Sequence, residues 1–449
     1  MEKQMTVINI PQGKLEGSDL KGCVQFLDVP YASDGGRFKK AQKVRRWEGV
    51  RNAAEPGPVF PQTTGRLSFV MGNTKEEKKQ SESAFSVNIW TPDTRGTYPV
   101  LFWMHGGAFM TGGGAIPWYS GEAFAREMGI VVVSVSYRLG VLGNLYLPEI
   151  ADTNLSVHDV NQALIWVHDN IRYFGGDPDN ITIAGQSAGA WYAVVMMGNP
   201  ALNGLYRRAG LFSFNGGTAP YLKAEAAAMT DILLRKLGIG DPKELCSLSV
   251  QDILAAQKIA VKQPERLNIP FLPVIDDRTI FPDYIRQAAL NADPSVEIFC
   301  GTVSHESTPF VACLEGESEE QYLARVRKNT EIAFVNDTEL LLRYLGNAGH
   351  DIYRYEFAYE SAMPHVHACH CFDIPFLLRN FDKWEEAPFL QNIDPGECRR
   401  VSDAYSSDFA SFMRTGRPND GWEKYDGTNN SMRFYQSLRR IPPPRQAAG

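Results

Sequence analysis

The chain has 449 residues, of which 44% are hydrophobic and 22% charged, and its formal net charge is −7. This is the composition of an ordinary globular protein, and it excludes a disordered, collagen-like or coiled-coil chain. Because the net charge is negative and no long run of Lys and Arg occurs, no nucleic-acid partner is expected.

The N-terminal segment and the most apolar stretch bear on targeting. The first residues, MEKQMTVINIPQGK, hold no apolar stretch long enough for a signal peptide and pass into a strand-like TVINI. Residues 129–143 are the most apolar, but they include Arg138 and fall short of the roughly 20 residues that a spanning helix needs. No membrane association is therefore expected. The cysteines number seven and form no CxxC pair, which indicates reduced thiols and predicts a cytoplasmic protein.

Short apolar segments along the chain predict a series of strands. They cover residues 86–91, 98–105, 130–137, 180–185, 209–214, 296–301 and 352–359. The clearest helix covers 157–174, where apolar residues recur every three or four positions along one face. Strands that alternate with helices predict an α/β fold with a mostly parallel sheet and helices on both faces. Apolar runs such as VLFWM are typical of strands buried on both sides.

Two stretches with helical patterns interrupt this alternation. They cover about residues 223–292 and 315–350, and we interpret them as insertions that cap one end of the sheet. The chain has no internal repeat, no Pro/Ser-rich linker and no low-complexity segment. A single domain spanning residues 1–449 is therefore favoured over several domains.

The strongest chemical signal is GQSAG at residues 185–189, a G-x-S-x-G sequence. A bare G-x-S-x-G occurs by chance in many glycine-rich turns. Here it follows the strand-like NITIA and precedes the apolar AWYAVVMM, which is the strand-turn-helix context that a nucleophilic serine requires. The helix would also place partial positive charge and free N–H groups beside the hydroxyl. We therefore predict that Ser187 is a nucleophile.

A serine nucleophile requires hydrogen-bond donors for the oxyanion that forms when it attacks a carbonyl. The sequence HGGAF at residues 105–109 follows an apolar strand, as the oxyanion loop of lipases and esterases does. We predict that the backbone amides of Gly107, Ala108 and Ala188 supply these donors. A flexible glycine turn is the alternative, since Gly112 to Gly114 continue the run.

Segments along nearly the whole chain carry a family resemblance. They include FLDVPYA, SVNIWTP, HGGAF, SYRLGVLGN, NQALIWVHDNIRYFGGDPDNITIAGQSAGA, HCFDIPF and FASFMRTGRPN. On these segments the chain resembles the type B carboxylesterase family, which includes bacterial p-nitrobenzyl esterases and the cholinesterases. The resemblance implies an α/β-hydrolase fold and a triad in the chain order serine, acid, histidine. It also shows one departure beside the nucleophile, because Gln186 stands where the family usually has glutamate.

The acid and the histidine can be sought in loops that follow strands. Glu306 lies in GTVSHEST just past the strand at 296–301, where the family has its glutamate, and would orient the histidine. Asp276 and Asp277 compete for this role, but the resemblance makes Asp276 structural. His370 lies in HCFDIPF, which resembles the histidine segment of the family, and is the predicted base.

The histidine segment has a second interpretation. His365, His367 and His370 form H-x-H-x-x-H near Cys369 and Cys371, and imidazole and thiolate are zinc ligands. A zinc hydrolase is therefore an alternative function. The position after a strand and the family resemblance favour His370 as the base and the other two histidines as loop residues, so that no metal is expected.

The sequence therefore predicts a serine carboxylesterase that forms an acyl-enzyme on Ser187 and acts on a small-molecule ester without a cofactor. Phe109, Trp118 and Trp191 are predicted to line its substrate pocket. A non-enzymatic binding protein on the same fold is the alternative from another class. The oligomeric state and the natural ester remain open.

Overall fold

A computed structural model describes residues 4–73, 79–258, 269–426 and 432–436 of the chain. Fourteen strands lie within these ranges: β1 (Met5–Ile10), β2 (Gly13–Asp19), β3 (Val24–Pro30), β4 (Ala32–Ser33), β5 (Gln42–Lys43), β6 (Val50–Asn52), β7 (Ser86–Thr91), β8 (Tyr98–Met104), β9 (Val131–Val135), β10 (Gly176–Gln186), β11 (Arg208–Phe212), β12 (Glu297–Val303), β13 (Ile352–Phe357) and β14 (Arg433–Tyr435).

Twelve α-helices lie in the same described ranges: α1 (Ser68–Met71), α2 (Glu122–Met128), α3 (Gly140–Asn144), α4 (Leu155–Asn170), α5 (Ala188–Met197), α6 (Lys223–Leu237), α7 (Val250–Ala256), α8 (Tyr284–Asn291), α9 (Glu319–Thr330), α10 (Asn336–Asn347), α11 (Ile374–Leu378) and α12 (Pro395–Thr415). No helix of the described part is both long and apolar enough to cross a bilayer.

One twelve-stranded sheet forms the centre of the molecule. Its strand order is β1-β2-β3-β7-β9-β8-β10-β11-β12-β13-β14, with β6 beside β2. Neighbours from β9 to β14 in this order are parallel, whereas those from β1 to β9 are antiparallel. All residues of β7, β9 and β11 are buried, as expected for strands covered on both faces. The predicted mostly parallel sheet is confirmed.

The predicted strands occur, with small differences at their ends. β7 has the predicted bounds, whereas β10 begins four residues early because Gly176 pairs with Tyr98 ahead of an irregularity in the ladder. The polar sequence DPDN hides this start from an apolar pattern. The predicted helix at 157–174 is α4 followed by a 3₁₀ turn at Ile171–Phe174.

The long helix α12 was not predicted from periodicity. Its start is fixed locally, because the Asp394 side chain accepts a hydrogen bond from the Glu397 amide and Pro395 occupies the first turn. Gly416 ends it with a φ of 79°. The helix packs against the face of β8 and β10, the strand that leads to Ser187.

The two helical stretches contain α6 to α8 and α9 to α10. Residues 259–268, which belong to the first stretch, lie outside the described residues. α8 packs against α5 and α10, so that both stretches meet beside the helix that follows Ser187. The cap interpretation and the single domain over the whole chain stay predictions.

Candidate active site

Ser187 occupies a tight turn between β10 and α5. Its backbone has φ 58° and ψ −122°, a conformation that L residues rarely adopt, and its amide donates to the carbonyl of Phe212 at 2.9 Å. The turn requires glycine on both sides, because a Cβ at Gly185 would clash with the backbone of Gly189, and one at Gly189 with the carbonyl of Met104. The serine is only 7% exposed, at the ends of the parallel strands.

The loop that follows β8 lies against this turn. A Cβ at Gly106 would lie 3.2 Å from the Cβ of Ser187. Within the described part of the chain, the amides of Gly107, Ala108 and Ala188 donate to no protein acceptor. For Ala188 this follows from its place as the first residue of α5. Three unpaired amides beside a serine can stabilise a developing oxyanion.

His105 holds the start of this loop in place. Its ring stacks on Tyr137 with centroids 4.2 Å apart, and the Tyr137 hydroxyl donates to the His105 carbonyl at 2.5 Å. His105 Nδ1 also lies 2.7 Å from the carbonyl oxygen of Gly106. These contacts limit the freedom of the glycine-rich loop.

Glu306 and His370 are brought together from loops that follow β12 and β13. Glu306 Oε2 lies 2.6 Å from His370 Nδ1, and Glu306 Oε1 accepts from the Val303 amide at 3.0 Å. The two side chains are 0% and 3% exposed. The competing aspartates are engaged elsewhere, since Asp276 accepts backbone amides of its own loop and Asp277 pairs with Lys223.

Gln186 contacts the His370 ring, which the sequence did not predict. Gln186 Nε2 lies 3.1 Å from His370 Nε2, and its Oε1 accepts from Cys371 Sγ at 3.5 Å. No hydrogen bond joins the Ser187 hydroxyl to the ring in the described part of the chain. Such bonds are often loose without substrate and tighten when it binds. The sequence indicated only that Gln186, one residue before the nucleophile, departs from the glutamate that the family usually has there.

Opposing effects act on the pKa of His370. Burial lowers it, but Cys371 and the Glu306 carboxylate raise it by more, so that the pKa lies above its ordinary value of 6.5. Asp373 is buried nearby and accepts from Tyr405 at 3.1 Å. Burial and the charge of Glu306 raise the pKa of Asp373 to about 7.

The predicted pocket residues lie in different surroundings. Phe109 packs edge-on against Trp191 at 5.2 Å, and Trp191 has no exposed surface. Trp118 stacks on Trp384 at 5.0 Å and is partly exposed. Their assignment to a pocket stays a prediction.

Two other aromatic rings approach His370. The centroids of Phe310 and Phe334 lie 5.5 Å and 4.9 Å from that of the imidazole. Both rings therefore pack next to the imidazole of the predicted base. Neither ring was predicted from the sequence.

The three histidines of H-x-H-x-x-H do not converge. His370 turns to Glu306, whereas His365 Nδ1 and His367 Nε2 lie 2.6 Å and 2.9 Å from the carboxylate of Glu319. The ligand set suggested by the sequence, with Cys369 and Cys371, is therefore not assembled.

A serine at a strand-to-helix turn, with free amides and a buried histidine–carboxylate pair at the ends of parallel strands, defines a serine hydrolase of the α/β-hydrolase class. Comparison with known proteins agrees. The family model described as "Carboxylesterase family" matches residues 4–329. The chain therefore belongs to the carboxylesterase family and is a carboxylic-ester hydrolase.

Individual relatives match over most of the chain. A probable N-octanoylanthranilate hydrolase of Rhodococcus erythropolis is 34% identical over 92% of this chain and 94% of its own. The para-nitrobenzyl esterase of Bacillus subtilis (strain 168) is 30% identical over 93% and 92%. Among solved structures, the Geobacillus stearothermophilus carboxylesterase EST55 is 31% identical and has a TM-score of 0.81, with 96% of each chain covered.

Proposed function

We propose that Ser187, His370 and Glu306 form the catalytic triad of a serine carboxylesterase. The observation that carries this proposal is the 2.6 Å contact between His370 Nδ1 and Glu306 Oε2, buried beside the strained turn of Ser187. The carboxylate fixes the tautomer in which Nδ1 holds the proton and Nε2 carries the lone pair that can accept one. It also stabilises the imidazolium that forms during the reaction.

The reaction proceeds in two halves. His370 Nε2 takes the hydroxyl proton of Ser187 as the oxygen attacks the ester carbonyl, and the amides of Gly107, Ala108 and Ala188 hold the oxyanion. The alcohol leaves with the proton from the imidazolium. Water then gives a proton to the same nitrogen and attacks the carbonyl of the acyl-enzyme. The bond to the Ser187 oxygen breaks, the imidazolium returns its proton to that oxygen, and the acid is released.

A panel of p-nitrophenyl esters with acyl chains of increasing length tests the proposed activity. We expect saturable hydrolysis of at least part of the panel by the purified full chain, because the proposed oxyanion donors and the buried histidine–carboxylate pair need no further group to act. Binding of the esters without turnover would instead favour a non-enzymatic protein on this fold.

The pH dependence of kcat/KM follows from the raised pKa of His370. The protonated ring cannot accept the Ser187 proton, so that activity is low in acid and rises as the pH passes through this pKa. Because the pKa is raised, we expect the inflection above pH 6.5. Rates measured from pH 5 to 10 in buffers of constant ionic strength check this. An inflection below pH 6.5, or a flat profile, would contradict this expectation. Asp373, whose pKa is raised to about 7, also titrates within the measured pH range.

Gln186→Glu places a carboxylate beside the imidazole. Because Gln186 Nε2 lies 3.1 Å from His370 Nε2, the new negative charge would stabilise the imidazolium and raise its pKa further. We expect the inflection of kcat/KM to move to higher pH by about one unit. Gln186→Met is the uncharged control and is expected to leave the inflection within a few tenths of a unit. A shift to lower pH in Gln186→Glu would contradict this contact.

We further propose that the protein works in a reducing compartment such as the cytoplasm. All seven cysteines are free, and Cys246 and Cys313 are exposed. Structural disulfides are common in oxidising compartments, where exposed free thiols would be prone to pairing. Labelling checks that these thiols are free, because a thiol reagent should modify Cys246 and Cys313 in the native protein without prior reduction.

A further inference from the structure

A cluster of histidines and glutamates outside the triad gathers where the loops after β12 and β13 meet. His305, Glu360 and His367 each offer one ligand atom, and these atoms all lie within 4.8 Å of one another. The rings of His305 and His367 are stacked with centroids 4.7 Å apart. All three side chains are at least partly exposed, so that an ion can reach them from solvent.

Hydrogen bonds orient the two imidazoles for ligation. Ser304 Oγ lies 2.9 Å from His305 Nδ1. When Nδ1 carries the ring proton and donates it to this hydroxyl, Nε2 keeps a lone pair that can bind an ion. Glu319 Oε1 lies 2.9 Å from His367 Nε2, and His367 Nδ1 faces Glu360 Oε1 at 3.5 Å. In metal sites, the histidine nitrogen that does not bind the ion usually donates to a carboxylate. Glu319 would have this role for His367.

We propose that His305, Glu360 and His367 bind one divalent transition-metal ion of the zinc type, with water in the remaining position. Two imidazoles and one carboxylate are a donor set that suits this ion. Ligand atoms of a tetrahedral zinc site lie about 3.3 Å apart. The three side chains must therefore close in slightly on the ion, which their partial exposure allows.

The ion would connect the two loops that carry the acid and the base. His305 immediately precedes Glu306, and His367 lies three residues before His370. The loops are already joined by a hydrogen bond from the His305 amide to the Ala368 carbonyl at 3.0 Å. The three ligands are at least partly exposed, whereas Glu306 and His370 are buried and pair with each other. The role of the ion would therefore be to hold the two loops together.

Titration of the chelator-treated full chain with ZnCl₂ in a calorimeter tests the proposal. The titration uses a Cys246→Ser/Cys313→Ser background, because exposed thiols also bind zinc. We expect one ion per chain and a higher midpoint of thermal unfolding with zinc than with chelator. His305→Asn and His367→Asn should each lower the affinity at least tenfold and abolish the rise in the midpoint.

His365→Asn is the matched control, since it removes an exposed histidine from the same loop that is not in the ligand set. It should keep both the stoichiometry and the rise in the unfolding midpoint. If an asparagine variant does not unfold cooperatively in chelator, the exposed Glu360→Gln replaces it. The proposal would be overturned by the absence of saturable binding at one ion per chain, or by an unchanged zinc affinity in the ligand variants. It would also be overturned if His365→Asn lowered the zinc affinity as much as the ligand variants do.

Discussion

Ser187→Ala lowers kcat for p-nitrophenyl ester hydrolysis by at least about 10⁴-fold. The substitution removes the only atom that can form the acyl-enzyme at this turn, while alanine tolerates the φ of 58° about as well as serine does. The free amides of Gly107, Ala108 and Ala188 remain, which accounts for any residual rate. Steady-state kinetics on an ester of the panel measure the effect.

The control for this variant separates chemistry from folding. Ser411→Ala removes a hydroxyl of α12 that donates to the Arg417 carbonyl at 3.0 Å, and it should leave kcat unchanged. The midpoint of thermal unfolding of Ser187→Ala should stay within a few degrees of the parent. A loss of kcat below tenfold in a folded Ser187→Ala would mean that another group attacks the ester.

Glu306→Gln lowers kcat by about 10³- to 10⁴-fold with a smaller change in KM. The amide keeps the shape of the side chain, and its oxygen can still accept from the Val303 amide. Its NH₂ group would then donate to His370 Nδ1, so that the imidazole proton moves to Nε2 and the ring cannot take the proton of Ser187. Steady-state kinetics over the pH range used above measure both parameters.

Asp277→Asn is the matched control, because it also neutralises a carboxylate that was a candidate for the acid. Asp277 pairs with Lys223 at the surface, and its loss should leave kcat within about twofold. The role of Glu306 would be contradicted if Glu306→Gln and Asp277→Asn lowered kcat equally, or if Glu306→Gln had a normal kcat.

The parts of the site that are local in sequence could be predicted. The turn at Ser187 depends on a strand, two glycines and a helix within about a dozen residues, and all of these are visible in NITIAGQSAGAWYAVVMM. The pairing of Glu306 with His370 is different, because 64 residues separate them. No periodic pattern links two loops at that distance, and the prediction of this pair depended on the family resemblance.

The remaining features arise from packing between segments. Gln186 reaches His370 across 184 residues, and Phe334 reaches the same ring from the helical stretch before β13. The histidine-rich segment suggested a metal set drawn from its own residues, but folding brings His305 from the preceding loop to His367. Side-chain direction at the end of a strand decides such contacts, and the sequence does not record it.

Intact-mass analysis after reaction with a fluorophosphonate probe tests the central claim most directly, since this reagent requires a serine activated by a neighbouring base. The account predicts one adduct per chain, located on the peptide that contains Ser187, with labelling that is absent in Ser187→Ala and strongly slowed in Glu306→Gln. An adduct on another residue, or undiminished labelling of Ser187→Ala, would contradict it.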